Sequence, residues 1–192
     1  KVLFLSTNYV FDGISAPYLP NDKTNPLNGY GRGKLAGEKS VLAASDDNIV
    51  LRVPMLHGPS TFLEESSVTI LVKAFLGTDG PVPLDTYQTR YPAYTLDVVT
   101  LIINLLPLII EGSVPNKILH FCPSEPFTKM EMGSIMAEIV GEDPKRAVSA
   151  PEQKGIVRPK NVRLLCPHIE ALGLMKVTPF REAIKISLDS IK

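Results

Sequence analysis

The chain has 192 residues, of which 44% are apolar and 21% are charged, as is usual for a globular protein with a sizeable core. Twenty basic and twenty acidic side chains give a formal net charge of 0, so the charge favours neither a nucleic acid nor a membrane surface as partner. The longest apolar stretch, residues 98–110, is too short to span a bilayer and predicts a buried helix. Cys122 and Cys166 form no C-x-x-C pair, so we expect reduced, buried thiols. Reduced thiols are typical of a cytoplasmic protein, so we expect a cytoplasmic location, with the nucleus as a second compartment.

Apolar runs predict three buried strands, and helical patterns separate them. The strands are expected near residues 1–6, 49–54 and 117–122. The helices are expected at 30–44, 66–76, 97–110 (kinked or ended near Pro107), 128–140, 167–172 and 179–191. Alternating strands and helices predict an α/β fold with a parallel sheet.

Tyr30 and Lys34 are four residues apart and therefore share one face of the expected helix. An ammonium group beside a phenol stabilises the phenolate and lowers the tyrosine pKa. Ser6 and Thr7 end the first strand, where a hydroxyl can polarise a carbonyl. This is the chemistry of hydride transfer with a nicotinamide cofactor. Y-x-x-x-K alone is also typical of a solvated helix face, because two common residues recur at that spacing by chance.

The sequence contains no G-x-G-x-x-G turn, the motif that cradles a dinucleotide pyrophosphate. The glycines at 29, 31 and 33 follow no strand directly and are not such a turn. Two interpretations stay open: the protein binds no dinucleotide, or the chain is the C-terminal part of a longer dinucleotide-binding protein. No cluster of His, Cys or Asp has metal-ligand spacing, so no metal site is predicted.

Several segments resemble a known family. S-T-N-Y-V-F-D-G at 6–13 and Y-G-R-G-K-L-A-G-E-K at 30–39 resemble the extended short-chain dehydrogenases, and within them the dTDP-4-dehydrorhamnose reductase branch. Further segments resemble the relatives of that branch that serve as regulatory subunit beta of methionine adenosyltransferase; they lie at 51–58, 63–69, 88–92, 158–161 and 178–181. Two residues depart from the branch, since Asn8 stands for a usual Asp and Gly33 for a usual Ser or Thr.

The resemblance implies the C-terminal portion of a Rossmann-type fold, with the N-terminal glycine-turn half absent. Residues 1–54 would be the remainder of the NADP-binding domain. Residues 55–192 would be mostly a small mixed α/β substrate lobe, with some return to the Rossmann sheet. NADP is expected in the full-length protein and is not expected to be retained by this chain. The implied catalytic residues are Ser6, Thr7, Tyr30 and Lys34, and the implied cofactor contacts are Tyr30, Lys34, Pro54, Met55 and Leu56.

Two functions stay open at this point. The first is an NADP(H)-binding regulatory subunit that docks on a methionine adenosyltransferase catalytic subunit and modulates S-adenosylmethionine synthesis. The second is an NADPH-dependent reductase of a nucleotide-linked 4-keto sugar, with Tyr30 as the proton donor. The complete Ser/Thr–Tyr–Lys set allows the second function, whereas the segments at 63–69 and 88–92 favour the first.

Other polar residues have simpler interpretations. His57 is expected to be structural, His120 to be a satisfied core histidine, and Glu38 to lie on a solvated helix face. Arg90 is expected either to bind an anion or to pair with a surface carboxylate. Arg158 is expected to form a loop salt bridge, or to contact a substrate phosphate if the protein is a reductase.

Overall fold

The computed structural model describes residues 1–77, 79–150, 155 and 157–191. In chain order the elements are β1 (Leu3–Thr7), α1 (Gly29–Ala44), β2 (Ile49–Val53), β3 (Leu56–His57), α2 (Ile70–Lys73), β4 (Val82–Leu84), β5 (Ala93–Tyr94), α3 (Thr95–Glu111), β6 (Ile118–His120), α4 (Lys129–Val140), β7 (Ala147–Ser149), α5 (Pro167–Ala171) and α6 (Phe180–Asp189). Short 3-10 turns lie at Asn8–Val10, Leu63–Glu65 and Pro144–Arg146.

The central sheet is parallel, with the strand order β1-β2-β6. Leu51 on β2 pairs in register with Leu5 on β1 and Leu119 on β6. Because side chains alternate along a strand, this row faces one side of the sheet and the next row, which includes Arg52, faces the other. The first side packs on α3 and α5 around a buried apolar core, and the second side packs on α1. The predicted α/β fold with a parallel sheet is confirmed.

A second apolar core joins α2, α4 and α6 with β4. Two short pairs of parallel strands lie outside the central sheet: β3 pairs with β5, and β4 pairs with β7. Their strands are two or three residues long, and residues 82–84 include Pro83, so no alternating pattern indicated them in the sequence.

The helices follow the expected order with two differences. The helix α3 does not end at Pro107 but continues to Glu111, and Gly112 then closes it with φ 76°. Burial of Leu105 and Ile109 on either side of the proline holds the helix together across the lost backbone donor. The helix α2 spans only Ile70–Lys73 instead of 66–76, because turns flank it. None of the described helices combines the length and apolar character that a bilayer crossing requires.

Candidate functional site

A cavity of about 400 Å³ opens at the carboxyl ends of β1 and β2. Ligands of parallel α/β sheets bind at this edge, and the volume lies in the range of small-molecule sites. Every residue that the sequence singled out for a catalytic or cofactor role lines it: Ser6, Thr7, Tyr30, Lys34, Pro54, Met55 and Leu56. The structure therefore brings the predicted set together on one cavity.

The first turn of α1 presents Tyr30 to this cavity. Asn28 caps the helix, since its side-chain oxygen accepts a hydrogen bond of 3.0 Å from the Gly31 amide. A Cβ at Gly31 would overlap the backbone carbonyl of Tyr9, so glycine allows the helix to begin directly against the 3-10 turn after β1. Tyr30 is 58% exposed, and its ring meets the Tyr9 ring edge-on, with their centroids 6.3 Å apart. Its phenol is thus accessible to a ligand.

Lys34 lies one turn further along α1. Its Nζ donates a hydrogen bond of 3.0 Å to the backbone carbonyl of Leu5 and lies 5.1 Å from the centroid of the Phe4 ring. An ammonium group carries three donors, and this bond uses one of them. Two donors therefore remain for the hydroxyl groups of a ligand in the cavity.

The two hydroxyls at the end of β1 differ in what they can offer. Ser6 Oγ donates a hydrogen bond of 2.5 Å to Glu38 Oε1, so its proton is used inside the protein. Thr7 Oγ1 accepts a bond of 3.2 Å from the Tyr9 amide, and its own proton stays available to a bound carbonyl. Glu38 is 2% exposed, so the expectation of a solvated helix face at this residue is wrong. Its burial depends on Arg52, which pairs with it from a distant strand.

Another wall of the cavity comes from the segment after β2. Pro54 and Met55 directly follow this strand, and Leu56 begins β3. The Met55 carbonyl accepts a hydrogen bond of 2.9 Å from the Ala93 amide, which fixes the wall against β5. These side chains give the cavity an apolar surface that suits one face of a flat aromatic ring.

Three cations lie at the far end of the cavity: Arg90, Lys129 and Arg158. Arg90 is buried and already paired, because its Nη2 lies 2.7 Å from Asp85 Oδ2 and its Nη1 donates 2.9 Å to the Gln88 carbonyl. Arg90 therefore pairs with a carboxylate, which is one of the two alternatives expected from the sequence. The ion pair is largely buried, however, and does not lie at the surface. No described carboxylate forms an ion pair with Lys129 or Arg158, and both can receive an anion.

Lys129 was not identified from the sequence. Burial lowers its pKa, and the charges of Arg90 and Arg158 lower it further, while the negative charge of Asp85 opposes this shift. A lysine in the first turn of a helix also opposes the helix dipole, since the amino end is positive.

His57 and the two cysteines lie outside the cavity. His57 is 2% exposed, packs on the rings of Tyr94 and Phe180, and does not line the cavity. Cys122 and Cys166 are free and buried, and burial raises their pKa to about 11 and about 12. Among the described residues no group of His, Cys, Asp and Glu could hold a metal ion.

Known proteins resemble this chain over nearly its whole length. The model of the RmlD substrate binding domain family matches residues 1–192. Methionine adenosyltransferase 2 subunit beta of Danio rerio is 37% identical over 191 residues, which are 97% of this chain and 59% of the relative. The dTDP-4-dehydrorhamnose reductase of Mycolicibacterium smegmatis is 29% identical over 195 residues, which are 99% of this chain and 58% of that one. The chain thus spans less than two thirds of these relatives.

Solved structures share the fold. The dTDP-4-dehydrorhamnose reductase of Bacillus anthracis, in complex with NADP, superposes with a TM-score of 0.80 at 19% identity, covering 97% of this chain and 64% of that one. The parallel sheet between helices and this likeness define an α/β protein with a Rossmann-type fold. Within that class, the chain belongs to the RmlD substrate binding domain family.

Proposed function

We propose that this protein is a regulatory subunit of a methionine adenosyltransferase, which holds a nicotinamide dinucleotide and modulates S-adenosylmethionine synthesis. The observation that carries this proposal is the identity of 37% and 36% to the zebrafish and cattle beta subunits, against 29% to the mycobacterial reductase. The predicted partner is accordingly the catalytic subunit of the adenosyltransferase. The neutral formal charge of the chain offers no support for a nucleic acid as partner.

The cavity suits the nicotinamide end of such a cofactor. The Lys34 ammonium has two unused donors and Tyr30 an accessible phenol, both suited to ribose hydroxyls. The apolar wall at 54–56 supplies a surface for the nicotinamide ring. When bound, the cofactor supplies a hydride to a neighbouring carbonyl or accepts one from a carbinol. These contacts serve binding whether or not any substrate turns over.

The 192-residue chain is expected to bind NADPH only weakly. The pyrophosphate of a dinucleotide needs a glycine turn leading into a helix amino terminus, and the sequence contains no such motif. NADP over NAD, and catalytic roles for Thr7, Tyr30 and Lys34, are parts of the proposal that rest on the resemblance to the reductase branch.

A second candidate function is an NADPH-dependent reductase of a nucleotide-linked 4-keto sugar. Two observations favour it: Thr7, Tyr30 and Lys34 line the same cavity, and Lys129 and Arg158 form a cationic end that fits a diphosphate. Tyr30 would give the proton to the carbonyl oxygen, Thr7 would orient that oxygen by a hydrogen bond, and Lys34 would favour the phenolate.

Affinity purification tests the first proposal. The complete gene product is tagged and mixed with a purified methionine adenosyltransferase catalytic subunit, and the retained protein is quantified with and without NADPH. Stoichiometric retention and a changed rate of S-adenosylmethionine formation are expected. Absence of both, at micromolar concentrations of each protein, would reject the regulatory function.

A further inference from the structure

Tyr30, Lys34 and Glu38 form a row along α1, because each is four residues after the last. The row runs from the exposed Tyr30 ring, through the half-buried Lys34 side chain, to the buried carboxylate of Glu38. Its two ends therefore differ in environment: one faces the cavity and the other lies between α1 and the central sheet. Whatever fixes Glu38 also fixes the helix face that carries Tyr30 and Lys34.

Glu38 is fixed at three points. Its Oε1 accepts from Arg52 Nε at 2.8 Å and from Ser6 Oγ at 2.5 Å, and its Oε2 accepts from Arg52 Nη2 at 2.7 Å. Ser6 and Arg52 are register partners on β1 and β2. Ser6 also directly precedes Thr7, which lines the cavity. One carboxylate thus ties α1 to both strands, one residue away from the candidate carbonyl-orienting hydroxyl.

Arg52 continues the network into the rest of the fold. Its Nη1 donates to the Pro20 carbonyl at 3.0 Å and lies 3.3 Å from His120 Nε2. A guanidinium has only donors, so His120 Nε2 accepts and His120 Nδ1 donates to the Leu165 carbonyl at 3.1 Å. Both charged groups of this cluster, Glu38 and Arg52, are buried and hydrogen-bonded to each other. Their other partners come from β1, β6 and the loop at Pro20.

The pair is a poor source of stability. Desolvating two charges costs about as much as their attraction returns, and apolar replacements of similar size are often neutral or stabilising. What a bidentate pair does supply is orientation, since its two parallel bonds allow one relative geometry.

We propose that Glu38 and Arg52 are positioning residues for the cavity, holding Tyr30 and Lys34 at a fixed distance from Thr7. This inference rests on the proposed cofactor-binding role of Tyr30 and Lys34, and it adds residues outside the cavity to that role. Loss of the pair leaves a folded chain whose α1 face no longer has one defined position over β1.

The experiment separates position from stability. The test variant is Glu38→Leu with Arg52→Met, which removes both charges together and is expected to keep the wild-type melting temperature within a few degrees. Ser6→Ala removes one of the three bonds and is the milder companion. The matched control is Leu105→Ala, at a buried residue of α3 in the first apolar core. This substitution lowers the melting temperature without changing a residue that contacts Glu38 or Arg52.

Two readouts are taken on the same samples. The first is the chemical shift of the Tyr30 ring in carbon-13-labelled protein, which the edge-on Tyr9 ring displaces and which Tyr30→Phe assigns. The second is the affinity for reduced nicotinamide mononucleotide, followed by its fluorescence; this probe carries the nicotinamide ribose without the adenosine half.

In the double variant the Tyr30 shift should move towards that of a free tyrosine, and the affinity should fall roughly 10-fold, as for lost outer-shell support of other sites. Ser6→Ala should move both readouts in the same direction by less, and Leu105→Ala should leave both unchanged. A wild-type Tyr30 shift in the double variant would overturn the proposal. If the wild-type protein bound no reduced nicotinamide mononucleotide, the cofactor-binding role of Tyr30 and Lys34 would be rejected. The Tyr30 chemical shift would still test whether Glu38 and Arg52 position the helix.

Discussion

Arg52 Nη1 lies 3.3 Å from His120 Nε2, so a permanently charged guanidinium faces a ring nitrogen that must stay unprotonated. Burial lowers the pKa of His120 to about 3, and the positive charge of Arg52 contributes to that shift. His57, buried on β3, has a pKa lowered by burial to about 4. Both rings are therefore neutral in the folded protein at pH values where the unfolded chain binds protons.

The first prediction is acid lability. Because the folded pKa values lie below the unfolded value of about 6.5, the unfolded chain binds more protons below that pH, and stability falls as the pH falls. Each histidine adds a slope of up to about 1.4 kcal/mol per pH unit, from pH 6.5 down to about 4 for His57 and about 3 for His120. Urea unfolding between pH 7.5 and 4.5 measures this fall in the free energy of unfolding.

The same series contains its own check. His57→Phe removes one titrating ring from an apolar site, so its stability should depend less steeply on pH below 6.5. Above pH 7 the wild-type and variant curves should run parallel. Equal slopes below pH 6 would show that His57 titrates normally.

The second prediction concerns glycines in α1. Gly31→Ala places a Cβ against the Tyr9 carbonyl and should destabilise the fold by about 1–3 kcal/mol. Gly33→Ala is the matched control two residues away, where a Cβ meets no atom within 4 Å. It should stabilise the helix by roughly 1 kcal/mol, because alanine restricts the unfolded chain. The melting temperatures of both variants, measured by thermal unfolding, test this prediction. A Gly31→Ala variant more stable than the wild type would contradict the close packing at the start of α1.

The third prediction concerns the buried ion pair. Glu38→Leu alone leaves the Arg52 guanidinium buried without its partner and should cost about 3–5 kcal/mol. Adding Arg52→Met should recover most of that loss, which gives a large coupling energy in a double-mutant cycle. If the single and double variants were equally unstable, the pair would not be coupled as the distances indicate.

The fourth prediction concerns the cationic end of the cavity. Lys129→Met should weaken the binding of dTDP by roughly 10-fold, because it removes a half-buried positive charge next to Arg158. Lys145→Met, on the exposed turn after α4, is the control and should leave the affinity unchanged. Isothermal titration calorimetry at low ionic strength compares them. Equal loss in both variants would indicate a general charge effect and no site.

Much of this arrangement followed from local sequence. The apolar runs at β1 and β2 predicted a parallel sheet, and the spacing of Tyr30 and Lys34 predicted a shared helix face at the carboxyl ends of those strands. The burial of Glu38 did not follow, because its surroundings come from Arg52 on another strand. An isolated glutamate in a helix has the pattern of a solvated residue, and only tertiary contacts distinguish the two.

The short strands outside the central sheet were harder to predict for a physical reason. The strands β3 and β5 are two residues long and are held by pairing with distant segments, so they carry no periodic pattern of their own. Lys129 likewise reaches the cavity only because α4 packs beside β4 and places its first turn near Arg90. Residues whose role depends on such long-range placement cannot be identified by spacing.

The most direct test of the regulatory function is NADPH oxidation by the complete gene product with a dTDP-4-keto sugar, compared between wild type and Tyr30→Phe. A regulatory subunit should show no turnover above background in either form, while it still alters the rate of the adenosyltransferase. Robust wild-type turnover that falls about 10²–10⁴-fold in Tyr30→Phe, with no effect on the adenosyltransferase, would contradict the account and establish a reductase.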